Sequence, residues 1–203
     1  MAERRSPLAI AILSLLAEEP MHAYGMQQKI KGRRKDEVVN VAQRNSVYQA
    51  IERLVRDGYV QVRHTARDSG RPERTVYELT DSGRQTQMAW LRSMLATPAR
   101  EFPEFRAALA FVATLDPDDA REQLENRARI LQDRLGQYAD DLKRGQEMGL
   151  PRLFAVEDEY AQAVTTAELT FVRTLIKDLA DGELTWNPEW LAEIVAKFEG
   201  SPA

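Results

Sequence analysis

No cysteine occurs anywhere in the 203-residue chain, which excludes disulfides, thiolate zinc sites, iron–sulfur clusters and a cysteine nucleophile. Histidine is almost as scarce. His22 and His64 are the only two, 42 positions apart, and leave little for an imidazole metal site or a histidine-based catalytic relay. No run approaches the roughly 18 apolar residues of a membrane span, so no membrane partner is expected. No phosphate-binding loop, dinucleotide fingerprint or nucleophile elbow is present. The chain is therefore read as a non-enzyme, with no catalytic residue, metal or cofactor expected. What remains is an ordinary globular composition, 43% hydrophobic and 30% charged, able to bury a core.

The N-terminus imitates a targeting signal, with Arg4-Arg5 ahead of the apolar run Leu8 to Ala17. Ser6 and Pro7 instead make a good N-cap and first-turn pair. Glu18-Glu19-Pro20 closes the run without a small-residue cleavage site. A cytoplasmic protein is expected. Charge is lopsided: residues 1–85 carry 15 Lys+Arg against 11 Asp+Glu, and the remainder 13 against 21, within a net charge of -4. A basic N-terminal part joined to an acidic C-terminal part suits a nucleic-acid reader with its own interaction module, although surface charge can also drift by this much.

Leu8, Ile12, Leu15 and Leu16 repeat at helical spacing and mark a first helix. A second is expected from about His22 to Arg34, with Tyr24, Met26 and Ile30 on its buried side. A third spans roughly Asn45 to Asp57; Ser46 with Gln49 three residues on gives a capping-box pattern at its start, and Gly58 a stop. Val47, Ala50, Ile51 and Leu54 form its apolar stripe. The period then changes to that of strands, at Tyr59 to His64 and again at Val76 to Leu79, around the polar turn Arg67 to Arg74. Thr80 and Asp81 open a helix running to Pro98. The remaining chain reads as entirely helical, with Leu124, Ala128, Leu131, Leu135, Tyr138 and Leu142 at heptad spacing and Tyr160, Val164, Ala167, Phe171, Leu175 and Leu179 as an antiparallel return. A last helix bears Trp190, Ile194 and Phe198. The expectation is a mainly α chain with a small β-hairpin: residues 1–97 a DNA-binding domain, residues 98–203 a helical dimerisation and effector domain.

Three helices followed by a hairpin is the winged helix-turn-helix plan, whose third helix enters the major groove while the hairpin tip flanks the backbone or minor groove. The outward face of the third helix offers Asn45, Tyr48, Gln49, Arg53 and Arg56, with Arg44 and Ser46 at its start. Asn and Gln can read adenine, and Arg guanine or phosphate. Arg67, Arg71, Arg74 and the nearby Arg63 gather at the hairpin turn, where long cations suit phosphate contact; pairing with Asp68 and Glu73 is the structural alternative. Leu124, Leu131, Leu135 and Leu142 are the expected dimer seam, the alternative being packing against the chain's own return helix. Trp90, Trp186 and Trp190 are candidates for lining an apolar effector pocket, though such aromatics are more often core residues.

The segments LAIAILSLLAEEPMHAYGMQQKI, NSVYQAIERLVRDGYV and GRPERTVYELTDSGR resemble the winged-helix domain of the PadR-type transcriptional regulators, over roughly residues 6–90. Where that family usually has Gly-Tyr in the second helix, this chain has Tyr24-Gly25. The resemblance implies that Tyr48 and the helix around Ser46 and Gln49 face DNA, and that Gly70, Arg71 and Arg74 form the wing. The function expected is a homodimeric repressor that binds a palindromic double-stranded operator and is released by a small apolar or aromatic effector. The alternative is a winged-helix module that binds a partner protein without reading DNA sequence.

Overall fold

The computed structural model describes residues 6–41, 44–66 and 74–199. The chain divides into two compact units, Met1–Glu101 and Phe102–Ala203. The N-terminal unit runs α1 (Pro7–Glu18), β1 (Met21–His22), α2 (Ala23–Gly32), a 3-10 turn (Lys35–Glu37), α3 (Arg44–Arg56), β2 (Val60–Ala66), β3 (Arg74–Leu79) and α4 (Asp81–Ala96). Short polar side chains start these helices by satisfying amides that have no partner within the helix. Ser6 Oγ accepts from the Ala9 amide at 3.1 Å ahead of Pro7. His22 Nδ1 accepts from the Gly25 amide at 2.7 Å, so this imidazole is a cap. At the Tyr24-Gly25 pair it is Gly25 that packs on the His22 ring, and Tyr24 is exposed.

Ile12, Leu13, Met26, Val47, Ile51, Leu54 and Val60 are fully buried and form one core, closed by Trp90 of α4. The Trp90 ring meets Tyr59 edge-on, centroids 5.9 Å apart. Trp90 is thus a core residue. α3 begins at Arg44, two residues before Ser46, so Ser46 lies inside the helix and the expected capping box does not start it. Gly58, at φ 77, ends it: the Tyr59 amide donates to Leu54 O at 2.9 Å and the Gly58 amide to Val55 O at 3.0 Å, closing the last turn as an αL cap does.

The hairpin carries an additional strand that the alternation pattern did not show. β1 pairs antiparallel with β3, Met21 opposite Tyr77 and His22 opposite Val76, giving the order β1-β3-β2. Two residues are too short to display a period of two. Between β2 and β3 the register slips from Val62/Tyr77 to His64/Val76, which leaves Arg63 as the additional residue of a bulge. The sheet is tied to α3 and α4 at one corner. Thr80 Oγ1 accepts from the Gly83 amide at 3.0 Å and donates to Gly58 O at 2.8 Å, while the Thr80 amide donates to Tyr59 O at 3.1 Å.

In the C-terminal unit, α5 (Glu104–Ala110) and a 3-10 turn precede α6 (Pro117–Glu147), α7 (Val156–Ala180) and α8 (Pro188–Glu199). Asp116 Oδ1 caps α6 through the Asp119 amide at 2.9 Å, and Asp118 and Asp119 occupy its first turn, where acids suit the helix dipole. Leu124 and Leu131 are buried against Leu169 and Val172 of α7, with Leu135, Leu175 and Leu179 packed around them; Leu142 is half-buried. Leu124, Leu131 and Leu135, expected to meet a second chain, are therefore packed within the single chain, the alternative arrangement, while Leu142 is not part of this cluster. The buried line of α7 is Thr165, Leu169 and Val172. Tyr160, Val164 and Phe171, read as its packing stripe, are 72%, 47% and 49% exposed.

Gly83 cannot carry a side chain without moving α4: an added Cβ would lie 2.0 Å from the Tyr59 carbonyl oxygen. Gly83→Ala is expected to destabilise the N-terminal unit by about 3 kcal/mol or more, at the top of the range for overpacking; chemical denaturation that coincides with the parent's would contradict this. A second prediction follows from the junction of α1 and α2. Arg33 Nη1 and Nη2 donate to the Glu18 carboxylate at 2.5 and 2.7 Å, and Lys29 Nζ lies 2.9 Å from it. Arg33, then Lys29, hold the Glu18 carboxyl down at about 2 against an ordinary 4.5. The clamp contributes fully above pH 4.5 and is lost as pH falls toward 2. The groups are largely exposed, so the contribution is under about 1 kcal/mol. Glu18→Gln should flatten that part of the acid-stability curve in thermal melts from pH 5 to 2; parallel curves would refute the clamp.

Candidate nucleic-acid interface

α3 is amphipathic in the simplest sense. Val47, Ala50, Ile51 and Leu54 are buried, whereas Gln49, Glu52 and Arg56 are exposed and Tyr48 is 42% exposed. Ser46 and Arg53 are half-buried: at about 100° per residue Arg53 falls well to one side of the outward direction. Arg44 and Asn45 occupy the first turn, but their side chains lie outside the described residues. So do Arg67, Gly70 and Arg71, and the side chain of Arg74, which opens β3. Arg63 has a partner. Its Nε lies 3.7 Å from Glu78 Oε2 across the hairpin, and Gln61 Nε2 donates to Glu78 Oε1 at 2.8 Å.

α3 and the hairpin meet at Tyr77 of β3. Burial raises its phenol above the ordinary value, and the neighbouring Tyr48 and Glu52 of α3 raise it further. Glu52 is the residue that the sequence reading passed over. Its spacing of four from Tyr48 and three from Gln49 placed it on the same face, and only its sign set it apart. The basic cluster at the end of α2 is partly neutralised, Arg33 by Glu18 and Arg34 by Glu37 at 4.0 Å.

Among the described residues no cluster of His, Asp and Glu could hold a metal ion, and no helix is long and apolar enough to cross a membrane. A cavity of about 410 Å³ opens between α5 and α6, lined by Phe105, Phe111, Val112, Leu115, Leu124 and Arg127 among others. The Arg127 guanidinium carbon sits 3.7 Å above the Phe105 ring centroid, and Nε donates to Glu168 Oε1 at 2.6 Å. None of the three tryptophans lines this cavity. Trp186 Nε1 donates to the Leu115 carbonyl at 2.8 Å instead.

Comparison with known proteins converges on one family. Residues 12–89 match the transcriptional regulator PadR-like family. The negative transcriptional regulator PadR of Bacillus subtilis is 28% identical over 137 residues, 64% of this chain and 72% of that one. The crystal structure of Bacillus subtilis PadR in complex with operator DNA superposes with a TM-score of 0.67 at 18% identity, over 85% of this chain and 98% of that one. PadR of Bacillus subtilis in complex with p-coumaric acid gives 0.55 at 18%, over 83% and 99%. At such identities the structural likeness speaks for the fold, while the family match runs from Ile12 within α1 through α2, α3 and the hairpin into α4. Over residues 12–89 the chain is therefore similar to the PadR-like family of transcriptional regulators, and its N-terminal unit has the winged helix-turn-helix fold of the solved PadR structures.

Proposed function

We propose that the protein is a homodimeric cytoplasmic repressor that reads a palindromic operator with α3 and yields it to a small apolar or aromatic effector. Residues 1–97 would read DNA, and residues 98–203 would dimerise and sense the effector. The observation that carries the reading is the outward face of α3, where Tyr48, Gln49 and Arg56 stand free of the core. Gln49 suits an adenine edge, and Arg44, Asn45, Ser46 and Arg53 flank it. Arg67, Arg71 and Arg74 would hold the phosphate backbone. Repression is favoured by the name of the Bacillus subtilis relative, a negative regulator. The effector is favoured by that protein's complex with p-coumaric acid and by the cavity beside Phe105 and Arg127, of a volume suited to a small aromatic molecule.

Two half-sites one helical turn apart require two copies of α3. A second seam supports a dimer: Tyr160, Val164, Ala167 and Phe171 follow one another at spacings of 4, 3 and 4 along α7 and are exposed, away from the Leu169 and Val172 face. A second copy of that stripe is its natural cover, since apolar a/d positions repeat along it as in a coiled coil. Val164→Asp with Phe171→Asp should give a monomer of unchanged helical content by sedimentation and circular dichroism, because neither side chain belongs to the buried cluster. A dimer that survives both substitutions places the interface elsewhere, with the α6 leucines Leu124, Leu131, Leu135 and Leu142 next in line.

On duplexes selected from a random pool, Gln49→Ala should cost about 1–3 kcal/mol in specific binding and little on random DNA. Arg71→Ala should weaken both and reduce the salt slope by about one. Equal binding by all three proteins, measured by fluorescence anisotropy across salt concentrations, would remove α3 and the wing from the interface.

A further inference from the structure

Glu52 is a carboxylate on the face that meets a polyanion. By helical geometry it projects about 40° from the direction opposite the buried Val47, against about 20° for Gln49. It is exposed, and no hydrogen bond or ion pair to it is found among the described residues. Arg56, four residues on and well placed to pair with it, lies instead 3.6 Å from Asp57. The carboxylate stands near Tyr77 and one turn beyond Tyr48, so it borders the wing.

An anion with no partner among the described residues repels phosphate on such a face unless a base edge offers it donors. An ionised carboxylate is an acceptor only. In the major groove, adenine sets its amino donor beside the N7 acceptor, which opposes a carboxylate. Cytosine presents the N4 amino group as its donor and no acceptor of its own, and is the base that Glu and Asp suit. Guanine and thymine present acceptors to it. We propose that Glu52 is a specificity-determining residue that accepts a hydrogen bond from cytosine N4 and fixes one C·G pair in each half-site. The proposal rests on α3 being the reading helix, and it assigns to that helix a base which Gln49 and the arginines do not.

The test uses the full-length protein and duplexes enriched from a randomised pool, with parent, Glu52→Ala, Glu52→Gln and Gln49→Ala compared on the parent's selected site. The expected selection has one C·G pair in each half-site whose replacement by T·A weakens the parent about 5- to 150-fold. Glu52→Ala should bring that discrimination close to unity while preferences at the other positions persist. Glu52→Gln, which adds a donor beside its acceptor, should shift the preference at that pair toward A·T. If Glu52→Ala keeps the same selected sequence, or tightens binding on every duplex alike, the residue is a repelling surface charge and the proposal fails while α3 remains the reader. If the parent enriches no sequence, or Gln49→Ala also leaves the selection unchanged, the assignment of α3 fails and this proposal falls with it.

Discussion

Burial of Val47, Ile51 and Leu54 against α1 and α2 is the constraint on which the rest of the N-terminal unit depends. Rotating α3 by a single residue, about 100°, would expose that stripe and forfeit several kcal/mol of apolar burial. The inward face therefore dictates which side chains look outward. Gly58 then stops the helix by adopting a positive φ, Tyr59 turns back onto Trp90, and Thr80 hydrogen-bonds to the Gly58 carbonyl. Helix, hairpin and α4 are joined at one corner, and Gly83 is the residue that lets them approach.

Much of this was legible in the sequence, because it rests on local chemistry. The Ser6-Pro7 cap, the Gly58 stop, the Thr80 cap and the apolar stripe of α3 each follow from residue type and spacing, and each stands where expected. What escaped the reading has a physical cause in every case. β1 is two residues long and has no period. The bulge at Arg63 is a matter of register, which a single strand does not announce. Glu52 shares the outward face by spacing, but an acidic residue carries no signal for a polyanionic partner. The capping box at Ser46 was a pattern match displaced by two residues, since α3 starts at Arg44.

The C-terminal unit teaches a different lesson. Heptad spacing on α6 announced a packed seam and left its partner open, and α7 of the same chain fills that role through Leu169 and Val172. α7 carries two apolar lines, one buried and one exposed, separated by nearly half a turn of the helix. Sequence periodicity found the exposed Tyr160, Val164, Ala167 and Phe171 together with Leu175 and Leu179, which do pack on the cluster, and missed that Thr165, Leu169 and Val172 form the buried line. A helix apolar on two faces packs on two sides, which is why the proposed second copy belongs on Tyr160, Val164 and Phe171.

On the proposed reading, the outward face of α3 distinguishes DNA sequences rather than merely contacting DNA. The most direct measurement is the affinity of the full-length protein for duplexes enriched from a random pool, set against unselected duplexes at the same salt concentration. A ratio of about 1,000 or more is expected, with both affinities falling as salt rises. A ratio near one, or an affinity insensitive to salt, would contradict it.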